Sequence, residues 1–263
     1  MTTKFSLLGV AVLFSLCLTT VPAHATVDHT YVSGTGSDSG GCTSPANACR
    51  HFAYAIGQTS AHGDIIVIDP ADYGPVTITE SINIVAQGKG PAGVTVGTGN
   101  AITISAGATD VVSLSGLTLN GDETAPYGVM VHSAGTVSIS DCVIQNFQSA
   151  GIYLSSAAGT TLNATILNSV MNNDGTAVQV SGAGMTKTFV TVRNSVATNN
   201  AVTGFYVRGA TLTLAGTMAT GSFNAAVFLP ADSNSQVLSY GDNELNGNAT
   251  PITGGSLMPV AKE

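Results

Sequence analysis

The chain has 263 residues, a formal net charge of −8, only 8% charged residues and no tryptophan. So acidic a surface repels phosphate backbones and anionic lipid, which excludes nucleic acid and membrane faces as partners. The scarcity of charge excludes a fold of solvent-facing helices, while the wealth of Gly, Ser, Thr, Asn and β-branched residues suits short strands joined by tight turns.

Residues 1–25 are expected to be an export signal. Lys4 supplies the basic start, the apolar run from Leu7 to Leu18 is too short to span a membrane, and Ala23-His24-Ala25 gives a cleavage pattern. The mature chain then begins near Thr26 and is secreted or periplasmic, with no membrane insertion after cleavage. Residues 26–62 read as an N-terminal cap. Cys42 and Cys49 share a loop containing Gly and Pro, which in an exported chain points to a disulfide. The metal alternative lacks a His or a second Cys pair at suitable spacing. Phe52, Ala55, Ile56 and Thr59 fall at helical intervals, predicting a short amphipathic helix between Arg50 and Thr59 that closes one end of the fold.

Residues 63–250 repeat. Gly128-Val-Met-Val131, Gly151-Ile-Tyr-Leu154, Ala177-Val-Gln-Val180, Gly204-Phe-Tyr-Val207 and Ala226-Val-Phe-Leu229 start 23, 26, 27 and 22 residues apart. A second series, Asp141, Asn168, Asn194, Gly216 and Asn243, recurs at 27, 26, 22 and 27. An apolar residue follows each by two places: Val143, Val170, Val196, Met218 and Leu245. Three short strands per repeat describe one coil of an all-β, single-stranded parallel β-helix of about seven coils. In such a stack each strand lies ~4.8 Å from its counterpart one coil earlier. The Asp/Asn/Gly series suits turns in left-handed geometry. Cys142 is expected to be a small buried hydrophobe in a strand. The tail, residues 251–263, is expected to cover the far end loosely or to lack order.

Asn194 to Asn199, followed by Gly204 to Val207, carries the pattern N-x-[apolar]-x-x-N then G-[apolar]-x-[apolar]. It resembles the parallel β-helix repeat of pectin-lyase-like proteins. Cys42…Cys49-Arg50-x-Phe52-x-x-Ala55, Gly63-Asp64-x-Ile66, Tyr73-Gly74-Pro75-Val76 and the closing Tyr240-Gly241-Asp242-Asn243-x-x-x-Gly247-Asn248 resemble a group of secreted bacterial right-handed β-helix repeat proteins. The resemblance spans nearly the whole mature chain and implies a right-handed solenoid. That group has no established activity to carry over.

Enzymes on this fold set a test. Pectate lyases use a calcium-holding carboxylate cluster with a basic residue, and polygalacturonases use aspartates on neighbouring coils. Here Asp110, Asp122, Glu123, Asp141 and Asp174 give no pair on adjacent outward strand positions. Asp122 and Glu123 follow Asn120-Gly121 in a turn, where calcium is the weaker alternative to a solvated pair. The basic residues Lys89, Lys187, Arg193 and Arg208 read as surface charges. His29, His51, His62 and His132 show no ligand spacing. Gly88 to Gly93 matches G-x-G-x-x-G, but Pro91 and the strand-like Val94-Thr-Val96 leave no helix to hold a phosphate. No catalytic residue is assigned and no cofactor is expected.

One outward strip stands out. The middle residues of the repeat strands, Met130, Tyr153, Gln179, Tyr206 and Phe228, point away from the core. Two places on, the same face carries His132, Ser155, Ser181, Arg208 and Pro230. Aromatics beside polar groups suit a polysaccharide or cell-surface glycan. The competing reading is that the aromatics pack on one another for stability alone. A carbohydrate-active enzyme (polysaccharide lyase or glycoside hydrolase) and a structural or adhesin-like solenoid are the alternative functions.

Overall fold

The computed structural model describes residues 27–86, 88, 90–156, 159–182, 187–231 and 234–261. The expected export signal lies outside these residues, as does Lys89. The chain winds through three parallel sheets in turn. The first has ten strands, from Val27–Val32 to Leu257–Pro259. The second has seven, from Ala71–Asp72 to Met218–Thr220. The third has eight, from Val76–Ile78 to Thr250–Thr253. Past the cap, each strand pairs with its counterpart one coil earlier, so the fold is a β-solenoid. The seven strands of the second sheet make six coil-to-coil steps, against about seven coils expected from the repeat.

Alternation along each strand builds the core. In the third sheet Val129, Ile152, Val178, Phe205 and Val227 pair in sequence and are all fully buried. Full burial of such side chains contributes ~1.5–3 kcal/mol each. The repeat opens on Gly or Ala for a steric reason. A Cβ on Gly128 would stand 2.5 Å from the Gly151 carbonyl oxygen and 2.7 Å from Ile144.

The turns follow the expected chemistry, with one shift. Asp141, Asn168, Asn194 and Gly216 hold φ of 55°, 50°, 49° and 54°. A parallel series at the next corner, Asn146, Asn173, Asn199 and Gly221, holds 63°, 55°, 54° and 71°. Asn243 is not in the first series. Thr217 N–H donates to its side chain, Gly216 N–H donates to Asp242, and Met218 pairs with Glu244. The final coil is therefore displaced by one residue, and Leu245 does not continue the Met218 column.

Val143, Val170 and Val196 face outward, part-exposed, and Met218 is exposed, while the next residues, Ile144, Met171, Ala197 and Ala219, fill the core. The left-handed residue and its successor both belong to the turn, which moves inward parity one place on. Cys142 is buried as expected, but it sits in a turn between strands Thr136–Ser140 and Val143–Gln145. Its thiol donates to the Ser140 carbonyl at 3.2 Å, as Ser169 does to Leu167 at 2.8 Å and Ser195 to Arg193 at 2.9 Å. Cys142 N–H donates to Ser169 Oγ, and Ser169 N–H to Ser195 Oγ, each at 3.2 Å. Cys142 thus takes the place of a serine in a ladder of turn side chains.

Both ends are more strand-like than expected. Strand Thr59–Val67 begins inside the cap and pairs with Val27–Val32. Cys42 and Cys49 form a disulfide with a Cα–Cα distance of 5.3 Å. Tyr31 N–H donates to Cys42 O at 2.9 Å and Cys49 N–H donates to Tyr31 O at 2.8 Å, so the loop is laced to the first strand. The helix is one turn, Phe52–Ala55, continued as a 3-10 turn over Ile56–Gln58. Its Phe52 is fully buried and lies 5.0 Å from the Tyr73 ring. At the other end the expected boundary at residue 250 falls inside a strand. Thr250–Thr253 pairs with Ala225–Phe228, and Leu257–Pro259 pairs with Gln236–Ser239. The part-buried Ile252 and Leu257 pack on the core there.

Candidate functional site

Lateral pairing places the strip in one column. Met130 pairs with Tyr153, Tyr153 with Gln179, Gln179 with Tyr206 and Tyr206 with Phe228. The column runs further than the sequence suggested, through Thr103 and Thr77 at one end and Thr253 at the other. Each strip residue is part-exposed between buried neighbours. Beside it, Ser155 pairs with Ser181 and Ser181 with Arg208, while His132 and Arg208 are exposed.

The aromatics do contact one another. Tyr206 and Phe228 stack at 5.6 Å with 27° between planes, and Tyr127 lies 5.2 Å from Tyr153. Each pair covers part of its own ring surface, leaving the Gln179 rung between the two pairs. Tyr127 was missed because it precedes the repeat motif by one residue and pairs with Ala150, whose side chain gives no aromatic signal. Among the described residues, the side chains of Tyr153, Gln179, Tyr206, His132 and Arg208 form no hydrogen bond or ion pair. Ser155 Oγ donates to Val131 O at 2.9 Å.

The acidic candidates stay apart. Asp122 and Glu123 are exposed in a turn with φ of 48° and 59°. Asp122 N–H donates to Asn120 Oδ1, which also takes the Asn146 amide. Among the described residues no group of three or more His, Cys, Asp or Glu is placed to hold a metal ion. His29, in the cap, meets Asp64 of the first coil at 3.0 Å, and His51 meets Asp38 within the cap at 2.6 Å. Burial raises the Asp38 pKa, but the His51 ring and the His51 and Arg50 amides outweigh it and hold the carboxyl below its usual range.

Asp174, not an outward residue at all, is 1% exposed at the second corner. Its Oδ1 accepts from Phe147 N–H at 2.9 Å, and burial pushes its pKa up to about 8 against that bond. Its alignment with Asn200 and Asn248 was the available signal. Among the described residues no helix is long and apolar enough to cross a membrane.

A family model described as the right-handed β-helix region matches residues 59–219 and 127–252. Comparison with curated proteins and with solved structures returned no match.

Proposed function

The chain belongs to the right-handed β-helix family, and from that premise we propose that it is a secreted, non-catalytic protein that binds a polysaccharide along the outer face of the third sheet. One observation carries the reading. Tyr153, Gln179 and Tyr206 stand in register on successive strands, and their polar groups, with those of His132 and Arg208, are unspent within the described residues. A periodic row of such groups at ~4.8 Å matches a ligand that is itself a repeating polyol. Ring surface not covered by the aromatic pairs adds apolar contact for sugar C–H faces. The Cys42–Cys49 disulfide supports an oxidising location outside the cytoplasm.

A second reading, a solenoid whose rigid length is its use, draws on the two aromatic pairs, which stabilise the face without any ligand. A glycan array on the mature protein and on Arg208→Ala separates the two. The binding reading expects a polysaccharide hit that Arg208→Ala weakens without changing the melting temperature. No hit on a broad array, or a hit that ignores Arg208, Tyr206 and Gln179 substitutions alike, hands first place to the structural reading.

A further inference from the structure

The second corner of the coil carries a ladder of side chains, one rung per coil: Asp174, Asn200, Ser222 and Asn248. Asp174 N–H donates to Asn200 Oδ1 at 3.1 Å, and Ser222 N–H donates to Asn248 Oδ1 at 2.9 Å. Asp174 Oδ1 does the same for Phe147 N–H. One oxygen of the carboxylate therefore performs the amide oxygen's task. The other atom differs. Asn248 Nδ2 donates to the Ala219 carbonyl at 2.8 Å, and Ala219 pairs through Ala197 and Met171 back to Ile144. By the repeat, Asp174 Oδ2 corresponds to that amide nitrogen; at a rung between them, Asn200 Nδ2 is buried with no hydrogen-bond partner. Asp174 Oδ2 is also buried with no hydrogen-bond partner, and it lies where a Cβ on Gly151 would come within 2.5 Å.

We propose that Asp174 carries a proton in the folded protein and stands in for a ladder asparagine, making this corner a pH-sensitive joint. A protonated Oδ2 is a donor, as the amide nitrogen is; an ionised Oδ2 offers only lone pairs in a place that a donor fills in the later coil. Burial acts in the same direction by penalising the charged form. The neighbours supply no positive charge to oppose it. Phe147, Gly151, Ala177 and Asn200 are uncharged, and of the residues lining the adjoining groove of about 310 Å³ only Glu123 also titrates. Glu123 is exposed and of the same sign.

The sign follows from linkage. The folded pKa of about 8 lies above the ordinary 3.8, so the folded state holds a proton that the unfolded state has released. The resulting stability is complete below ~pH 4 and is lost as pH rises through about 8. Ionisation loosens the rung that bears Gly151 and, two residues on, Tyr153.

Melting curves of the mature protein from about pH 5 to about pH 9 test this on wild type, Asp174→Asn and Glu123→Gln. Wild type and Glu123→Gln should lose several degrees across the range, while Asp174→Asn stays level and melts highest at the alkaline end. An Asp174→Asn curve parallel to wild type, or lower than it at the alkaline end, overturns the proposal. Carboxyl carbon NMR on the wild type gives a reading that does not depend on any variant folding. An Asp174 midpoint in the ordinary carboxylate range would sink it, and a midpoint well above that range upholds it.

Discussion

At the scale of single residues, inward and outward neighbours should behave oppositely. Phe205 is fully buried, and its truncation to Ala opens a core cavity with a stability loss of ~3–5 kcal/mol. Tyr206, next door, loses only part-exposed ring area and its stack on Phe228, the stack contributing ~0.5–1.5 kcal/mol. Urea titrations of both variants measure the gap; equal losses would mean that Tyr206 is covered. Cys142 makes a different point. Ser169 and Ser195 occupy its place in the next coils with the same donor geometry, so Cys142→Ser should change stability by under ~1 kcal/mol. The same burial pushes the thiol pKa up to about 11. Thiol labelling of the native protein at neutral pH should therefore be slow and become prompt on denaturation. Rapid labelling of Cys142 in the folded state would contradict its place in the ladder.

Elements of this fold are governed by their corners. Asn194 sits at φ 49°, a region that Gly enters freely and that costs an Ala ~1–2 kcal/mol. Asn194→Gly should therefore be tolerated and Asn194→Ala should lower the melting point. A reversed order would show that left-handed backbone geometry is not what this turn demands of position 194. These corners were legible in the sequence because left-handed geometry admits few residue types, and Asp141, Asn168, Asn194 and Gly216 all belong to them. What lies between corners was less legible. Val143, Val170 and Val196 are as apolar as the Ile144 and Met171 beside them, so composition alone did not tell outside from inside; only the turn's residue count does. Outward placement was legible where alternation holds, at Met130, Tyr153, Gln179, Tyr206 and Phe228. Tyr127 escaped because it stands one residue before the repeat motif and its partner, Ala150, carries no aromatic signal. Asp174 escaped because a carboxylate among polar turn residues looks solvated until its burial is known.

For the whole molecule, each coil touches only its neighbours, so stability is a chain of local terms and the ends are the weak places. The two ends differ. At the N-terminal end Phe52, the disulfide loop and the Asp69 carboxylate close the stack. Asp69 accepts from Ser33 Oγ at 2.6 Å, Tyr73 Oη at 2.6 Å and Gly34 N–H at 2.7 Å. At the C-terminal end the last strands hold Pro251 and Pro259, which blunt the edge against pairing with another chain but donate nothing to a ladder. Hydrogen exchange should therefore show least protection in Thr250–Thr253 and Leu257–Pro259, more in Val27–Val32, and most in the central coils. Reducing Cys42–Cys49 removes a constraint worth ~2–3 kcal/mol for so short a loop. Because coupling is between neighbours, that loss should quicken exchange in Val27–Val32 and Thr59–Val67 and leave strands such as Thr176–Ser181 unchanged. Uniform quickening along the whole chain on reduction would instead mean that the solenoid unfolds as a single unit. In that case the cap sets the stability of every coil, and the separation between the cap and the face that carries Tyr153 and Tyr206 is lost.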